Sequence, residues 1–228
     1  MRKTPSVKFL SFLSLNFYCV GIMMFLAVAA LVASIRYYQR HRSLRIFTYY
    51  IAFSLAESMV AYFSFVYPKF DFYQTFILRI TYGSFAVFEF VICNFFILHY
   101  VGSPLRRRII RINGLLFLLI LTVLIMIHRM AVSIFILDSV FLVPPCLIYF
   151  YELFLTVNPK PLKDQPSFWV ITAILFLNAC SIPLQLTFDF LGRYAEAAYS
   201  LNDILYGILF IMLIRAYLCS PEIRTSDE

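Results

Sequence analysis

Charge is scarce in this chain: only 14% of its 228 residues are Asp, Glu, Lys or Arg, where a soluble domain carries about 25%. That shortage excludes an ordinary water-covered globular surface. Glycine is rarer still, with six residues, and none forms the loop that cradles a phosphate. There is no GxSxG elbow, no HExxH helix and no pair of aspartates spaced for magnesium and a diphosphate, so the common hydrolase, metalloprotease and prenyl-transferase chemistries have no carrier. Asp138 and Asp203 come nearest to the two aspartates of an intramembrane aspartyl protease, but neither stands in a GxGD-like context. The five cysteines, Cys19, Cys93, Cys146, Cys180 and Cys219, include no CxxC and no Cys/His spacing. They read as polarizable packing rather than disulfides or metal ligands. His99 and His128 lack a second histidine four residues away. The chain is therefore expected to be non-catalytic, with no metal and no cofactor.

Apolar length is what the sequence has in abundance. Hydrophobic residues make up 62% of it and the mean hydropathy is +0.85. A membrane-crossing helix needs roughly 20 mostly apolar residues, and seven stretches answer to that, over 10–35, 46–66, 75–101, 112–128, 131–155, 168–190 and 199–219. The runs are continuous, whereas barrel strands alternate polar and apolar positions. The expected fold is a single all-α domain over 1–228, a polytopic transmembrane bundle of about seven helices. Arg2, Lys3 and Lys8 ahead of the first run imitate a secretion signal, but the run is too long and no small-residue cleavage site follows, so it is expected to stay as a helix. No internal repeat and no inverted pair of broken helices marks two transporter halves.

The distribution of Lys and Arg sets the orientation, because positive charge stays on the cytoplasmic side. One side of the bundle collects twelve of the 19, among them Arg36, Arg45, Arg106, Arg107, Arg108, Arg111 and Lys163; the other holds seven, three of them in the N-terminal tail. The N-terminus is thus expected outside and the C-terminus in the cytoplasm. The net charge of +7 belongs to these membrane boundaries and not to a nucleic-acid face; the lipid bilayer and its headgroups are the expected partner. Arg106, Arg107, Arg108 and Arg111 are in addition candidates for docking a cytoplasmic effector protein.

A charge inside the hydrocarbon costs at least a few kcal/mol and has to be paired, neutralised or wetted. Glu57 shares a narrow face with Ser54, Ser58 and Ala61 at helical spacing, and Arg79, Tyr82, Ala86, Glu89 and Cys93 form a similar stripe on the third segment. Arg79 and Glu89 are some 15 Å apart along one axis and cannot pair with each other. Asp138, Asn178, Gln185, Asp189, Asn202 and Asp203 add polar groups in the outer half, next to helix breaks at Pro144-Pro145 and Pro183. Together they suggest an outward-facing polar cavity with Asn178 at its floor. Glu57, Arg79, Tyr82, Glu89, Asp138, Asn178, Gln185 and Asp203 are accordingly the candidates for ligand binding or proton relay. Plainer alternatives stay open: Arg79, Asp189 and Asp203 at the headgroup boundary, and Asn202-Asp203 as a helix N-cap.

Tyr149, Tyr151-Glu152-Leu153, Pro166-Ser167-Phe168-Trp169-Val170, Cys180-Ser181-Ile182-Pro183, Asn202-Asp203-Ile204-Leu205-Tyr206 and Arg215-Ala216-Tyr217-Leu218-Cys219 resemble segments of multi-pass membrane proteins from Bacteroidota-type bacteria, which look like stand-alone seven-helix sensor modules. The resemblance covers the C-terminal third and implies a seven-helix layout in a bacterial inner membrane; it supplies no ligand or binding residue. The expected function is a membrane sensor or receptor-like module that signals through a separate partner. A small proton-coupled transporter using Glu57 and Glu89, and an assembly subunit whose polar groups lock helix packing, are the alternatives.

Overall fold

The computed structural model describes residues 7–39, 42–66, 71–126, 132–156, 161–191 and 195–219, with side chains over 18–39, 43–60, 83–124, 136–156, 161–187 and 200–219. Seven long helices fill these segments: α1 (Val7–Arg36), α2 (Arg45–Val66), α3 (Asp71–Tyr100), α4 (Pro104–Met126), α5 (Val132–Leu155), α6 (Pro166–Leu191) and α7 (Ala195–Leu218). No strand occurs among the described residues. Five helices are long and apolar enough to cross a membrane, within α1, α3, α5, α6 and α7. Their lipid-type surface is plain: Phe25, Phe95 and Phe154 are each more than 60% exposed, which in water would be a sticky patch.

Three helix starts differ from the sequence expectation by four residues or more. α3 begins at Asp71, four residues early, and α7 at Ala195, also four early. The largest shift is at α4, which begins at Pro104 and not near residue 112. Proline suits a first helical position, where its missing N–H costs nothing, and Arg106 to Arg111 are good helix formers. The arginines expected in a loop therefore lie on the first two turns of α4, and the α3–α4 connection shrinks to residues 101–103.

Each helix neighbours the next in a closed ring that runs α1, α2, α3, α5, α6, α7 and back to α1, while α4 stands outside it and leans mainly on α5. Between lipid-soluble helices packing and hydrogen bonds, not water exclusion, supply the adhesion, and small residues permit close approach. The α1–α7 contact is built that way. Ala27, Ala30 and Ser34 of α1 are buried on one stripe, and at Gly207 of α7 a Cβ would sit 3.3 Å from the Leu26 side chain.

Pro144 and Pro145 lie inside α5 without ending it. Pro145 has no N–H to give the carbonyl of Phe141 four residues back. Asn113 of α4 supplies the missing donor, its Nδ2 bonding that carbonyl at 2.8 Å. The bond ties the outlying α4 to the ring at the very position where the proline created the need.

Candidate functional site: an acidic centre inside the ring

Glu89 is the focus of the interior. It lies on the buried stripe of α3 with Ala86 and Cys93, as its spacing predicts, and is 3% exposed. Two tyrosines from different helices reach it: the Tyr50 hydroxyl of α2 donates to Oε1 at 3.2 Å and the Tyr206 hydroxyl of α7 donates to Oε2 at 3.4 Å. One carboxyl group thereby joins three helices, and each of its oxygens has one phenol.

Three further carboxyls gather around this clamp. Glu57 of α2 is within electrostatic range of both Glu89 and Asp203, Asp138 of α5 is within range of Glu89, and Tyr206 senses Glu57, Glu89 and Asp138 together. Oε1 of Glu57 and Oδ1 of Asp138 are buried with no hydrogen-bond partner among the described residues. Buried polar atoms are ordinarily satisfied, and these two are among the few described ones without a hydrogen bond. No described Lys or Arg pairs with any of the four acids, the one ion pair among the described residues being Arg106–Glu152 at the basic end. A net-acidic centre of this kind requires positive charge from outside the set, and no group of three or more acids among the described residues is placed to hold a metal ion.

Of the expected site residues, Glu57, Glu89, Asp138 and Asp203 are thus brought together. Asp203 lies two turns inside α7, which starts at Ala195; this overturns its alternative as an N-cap, because a cap needs free amides and an interior turn has none. Asn178 is buried but spends its Nδ2 on the Ile174 carbonyl of its own helix, at 2.9 Å, and Gln185 has a buried Oε1 with no described partner. No described bond carries either to the acidic centre. The backbones of Arg79, Tyr82 and Asp189 belong to α3 and α6, but their side chains lie outside the described residues.

Tyr50 and Tyr206 were missed in the sequence. Tyr50 extends the Ser54–Glu57–Ser58–Ala61 face one turn back, and Tyr206 follows Asp203 by three, so the helical spacing that found the acids would also have found their donors.

At the basic end the polar groups are arranged differently. Oε1 of Glu152, on α5, accepts the amides of Gly102 at 2.7 Å and Ser103 at 3.1 Å, while its Oε2 faces Arg106 at 3.2 Å. Arg106 also stacks over Tyr151, 4.9 Å from the ring centroid, and Arg107 donates to the Val101 carbonyl. So two of the four arginines expected to dock a partner also help hold the start of α4; Arg108 and Arg111 are exposed. The indole of Trp169 donates to the Lys163 carbonyl at 2.8 Å and lies under Arg215.

The chain matches no protein-family model, and no curated protein or solved structure is recognisably similar to it.

Proposed function

We propose that the protein is an integral membrane sensor or receptor-like module whose sensing element is the acidic centre. The observation that carries this is the clamp on Glu89 beside two buried carboxyl oxygens, on Glu57 and Asp138, that have no described partner. Binding of a proton or cation there would change which groups bond across α2, α3, α5 and α7. Bonds between those helices set their packing, so a local neutralisation becomes a helix displacement. Output passes to a separate effector at the basic end, where Arg108, Arg111 and Lys163 are exposed. The orientation proposed is N-terminus outside and C-terminus cytoplasmic, in a bacterial inner membrane, on the lysine and arginine bias and on the resemblance of the C-terminal third.

The test compares wild type with Glu89→Gln, a variant of the same shape that keeps one acceptor. Each is crosslinked in its native membrane, solubilised, purified and surveyed by mass spectrometry. A cytoplasmic effector whose yield changes at least severalfold between the two supports the sensor; no co-purifying effector, or one indifferent to the substitution, overturns it.

The nearness of Glu57 to Glu89 also favours a second function, proton-coupled transport with the two as a relay. Proteoliposomes loaded with a pH-sensitive dye separate the two. Flux that collapses in both Glu57→Gln and Glu89→Gln supports the transporter, and a tight, non-conducting vesicle removes it.

A further inference from the structure

α3 and α4 are joined by three residues yet meet only lightly, with Phe90 stacked on Phe117. Beside this contact, at the basic end, a groove of about 440 Å³ opens between them, lined by Phe95, Leu98, His99, Arg107 and Arg111.

Its rim is cationic. Arg107 and Arg111 are one turn apart on α4 and so share a face. No described carboxylate pairs with either, because Glu152 is committed to Arg106 and to the amides of Gly102 and Ser103. That commitment also fills the start of α4, so an anion here must be held by side chains and not by the helix end. Arg107 uses Nε on the Val101 carbonyl, which orients the guanidinium and leaves its terminal nitrogens, four of its five N–H donors, for a ligand.

The lining is mainly polar, and Phe95 and Leu98 supply its apolar side. Val91 precedes Phe95 by one turn on α3, and Leu115 follows Arg111 by one turn on α4; Val91, Phe95 and Leu115 are all more than half exposed. The two rows continue from the groove as exposed apolar surface on both helices.

We infer that this groove binds one anionic glycerophospholipid, its phosphate between Arg107 and Arg111 and an acyl chain along Phe95, Val91 and Leu115. Arg offers the forked donors that suit phosphate oxygens, and the exposed apolar rows next to them favour a lipid over a free phosphate or an acidic peptide. A zwitterionic headgroup would bring its ammonium beside two guanidinium groups and binds less well. The site does not involve the acidic centre, although it shares Arg111 with the basic end to which output is assigned.

The full-length protein is equilibrated in mixed micelles with equal phosphatidylglycerol and phosphatidylcholine, and native mass spectrometry counts the lipids retained. Wild type should keep one phosphatidylglycerol with roughly a tenfold preference or better, given the attraction of about two basic side chains near the lipid surface. Arg107→Gln/Arg111→Gln should abolish the preference. Arg107→Lys/Arg111→Lys, which keeps both charges, should retain most of it, as should Arg108→Gln outside the groove. Leu98→Trp, which fills the groove with the arginines intact, should lower retention severalfold. A preference that survives the glutamine pair, vanishes equally in the lysine pair or Arg108→Gln, or ignores Leu98→Trp overturns the proposal. Displacement of the lipid by millimolar glycerol phosphate would assign the site to soluble phosphate and likewise overturn it.

Discussion

The acidic centre and the basic end treat polar groups in opposite ways. At the basic end the bonds tie one element to another: Glu152 closes two amides and a guanidinium, Trp169 and Arg215 converge on the Lys163 carbonyl, and the Tyr217 hydroxyl donates to the Leu44 carbonyl at 3.0 Å. In the centre both phenols go to Glu89, and one buried oxygen each on Glu57 and Asp138 has no described partner. A satisfied network fixes one arrangement of the helices. An unbalanced one has more than one state within reach, since a bound proton or cation alters which bonds are best. On the proposed reading, the basic end supplies structure and the acidic centre supplies response.

Substitutions should break this contrast in a graded order. Glu89→Leu is expected to have the largest effect, because it orphans two buried hydroxyls at about 1–3 kcal/mol each in water-soluble proteins and less between membrane helices; a loss of about 2–3 kcal/mol should appear in denaturant unfolding of the solubilised protein. Glu89→Gln should cost under about 1 kcal/mol by the same bookkeeping, since an amide keeps an acceptor for one tyrosine. Equal losses for the two would make the centre a packing site and remove its part in sensing. Glu152→Ala should follow, costing about 2 kcal/mol as a lost cap and a stranded guanidinium. Its signature is local: amide exchange should rise in the first turn of α4 and stay unchanged around Glu89. Asn113→Ala should cost about 1 kcal/mol, the worth of one hydrogen bond to an otherwise orphaned carbonyl, and exchange should then quicken around Pro145 in α5.

Much of this architecture was legible in the chain. Length and hydropathy placed all seven helices, and the spacing of Ala86, Glu89 and Cys93 named the buried stripe of α3. The carboxyls of the centre were found because charge in hydrocarbon is conspicuous. Tyr50 and Tyr206 were not, because tyrosine is abundant here, 16 residues, and nothing in composition separates a core phenol from an interfacial one. The start of α4 was misplaced since hydropathy sees where a helix turns apolar, not where it begins; four arginines hid its first two turns. The bond from Asn113 to α5 was half legible. Pro145 announced a carbonyl in need of a donor, but which helix would answer depended on α4 standing outside the ring, and no local pattern encodes that.

Gly102→Ala probes the basic end most finely. An added Cβ would stand 2.9 Å from Oε1 of Glu152, the oxygen that accepts the Gly102 and Ser103 amides. The obstructing atom is the tip of a flexible side chain, so Glu152 can retreat by a few tenths of an ångström, lengthening both amide bonds while keeping Arg106 in reach. The expected cost is about 0.5–1 kcal/mol, a fraction of what two charge-assisted bonds contribute. That cost should exist only while Glu152 is present. In a double-mutant cycle with Glu152→Ala the second substitution should be nearly free, because neighbours that share a contact are not additive. A Gly102→Ala penalty that persists without Glu152 would place the strain in the α3–α4 connection itself, and the carboxylate would then be following the backbone and not fixing it.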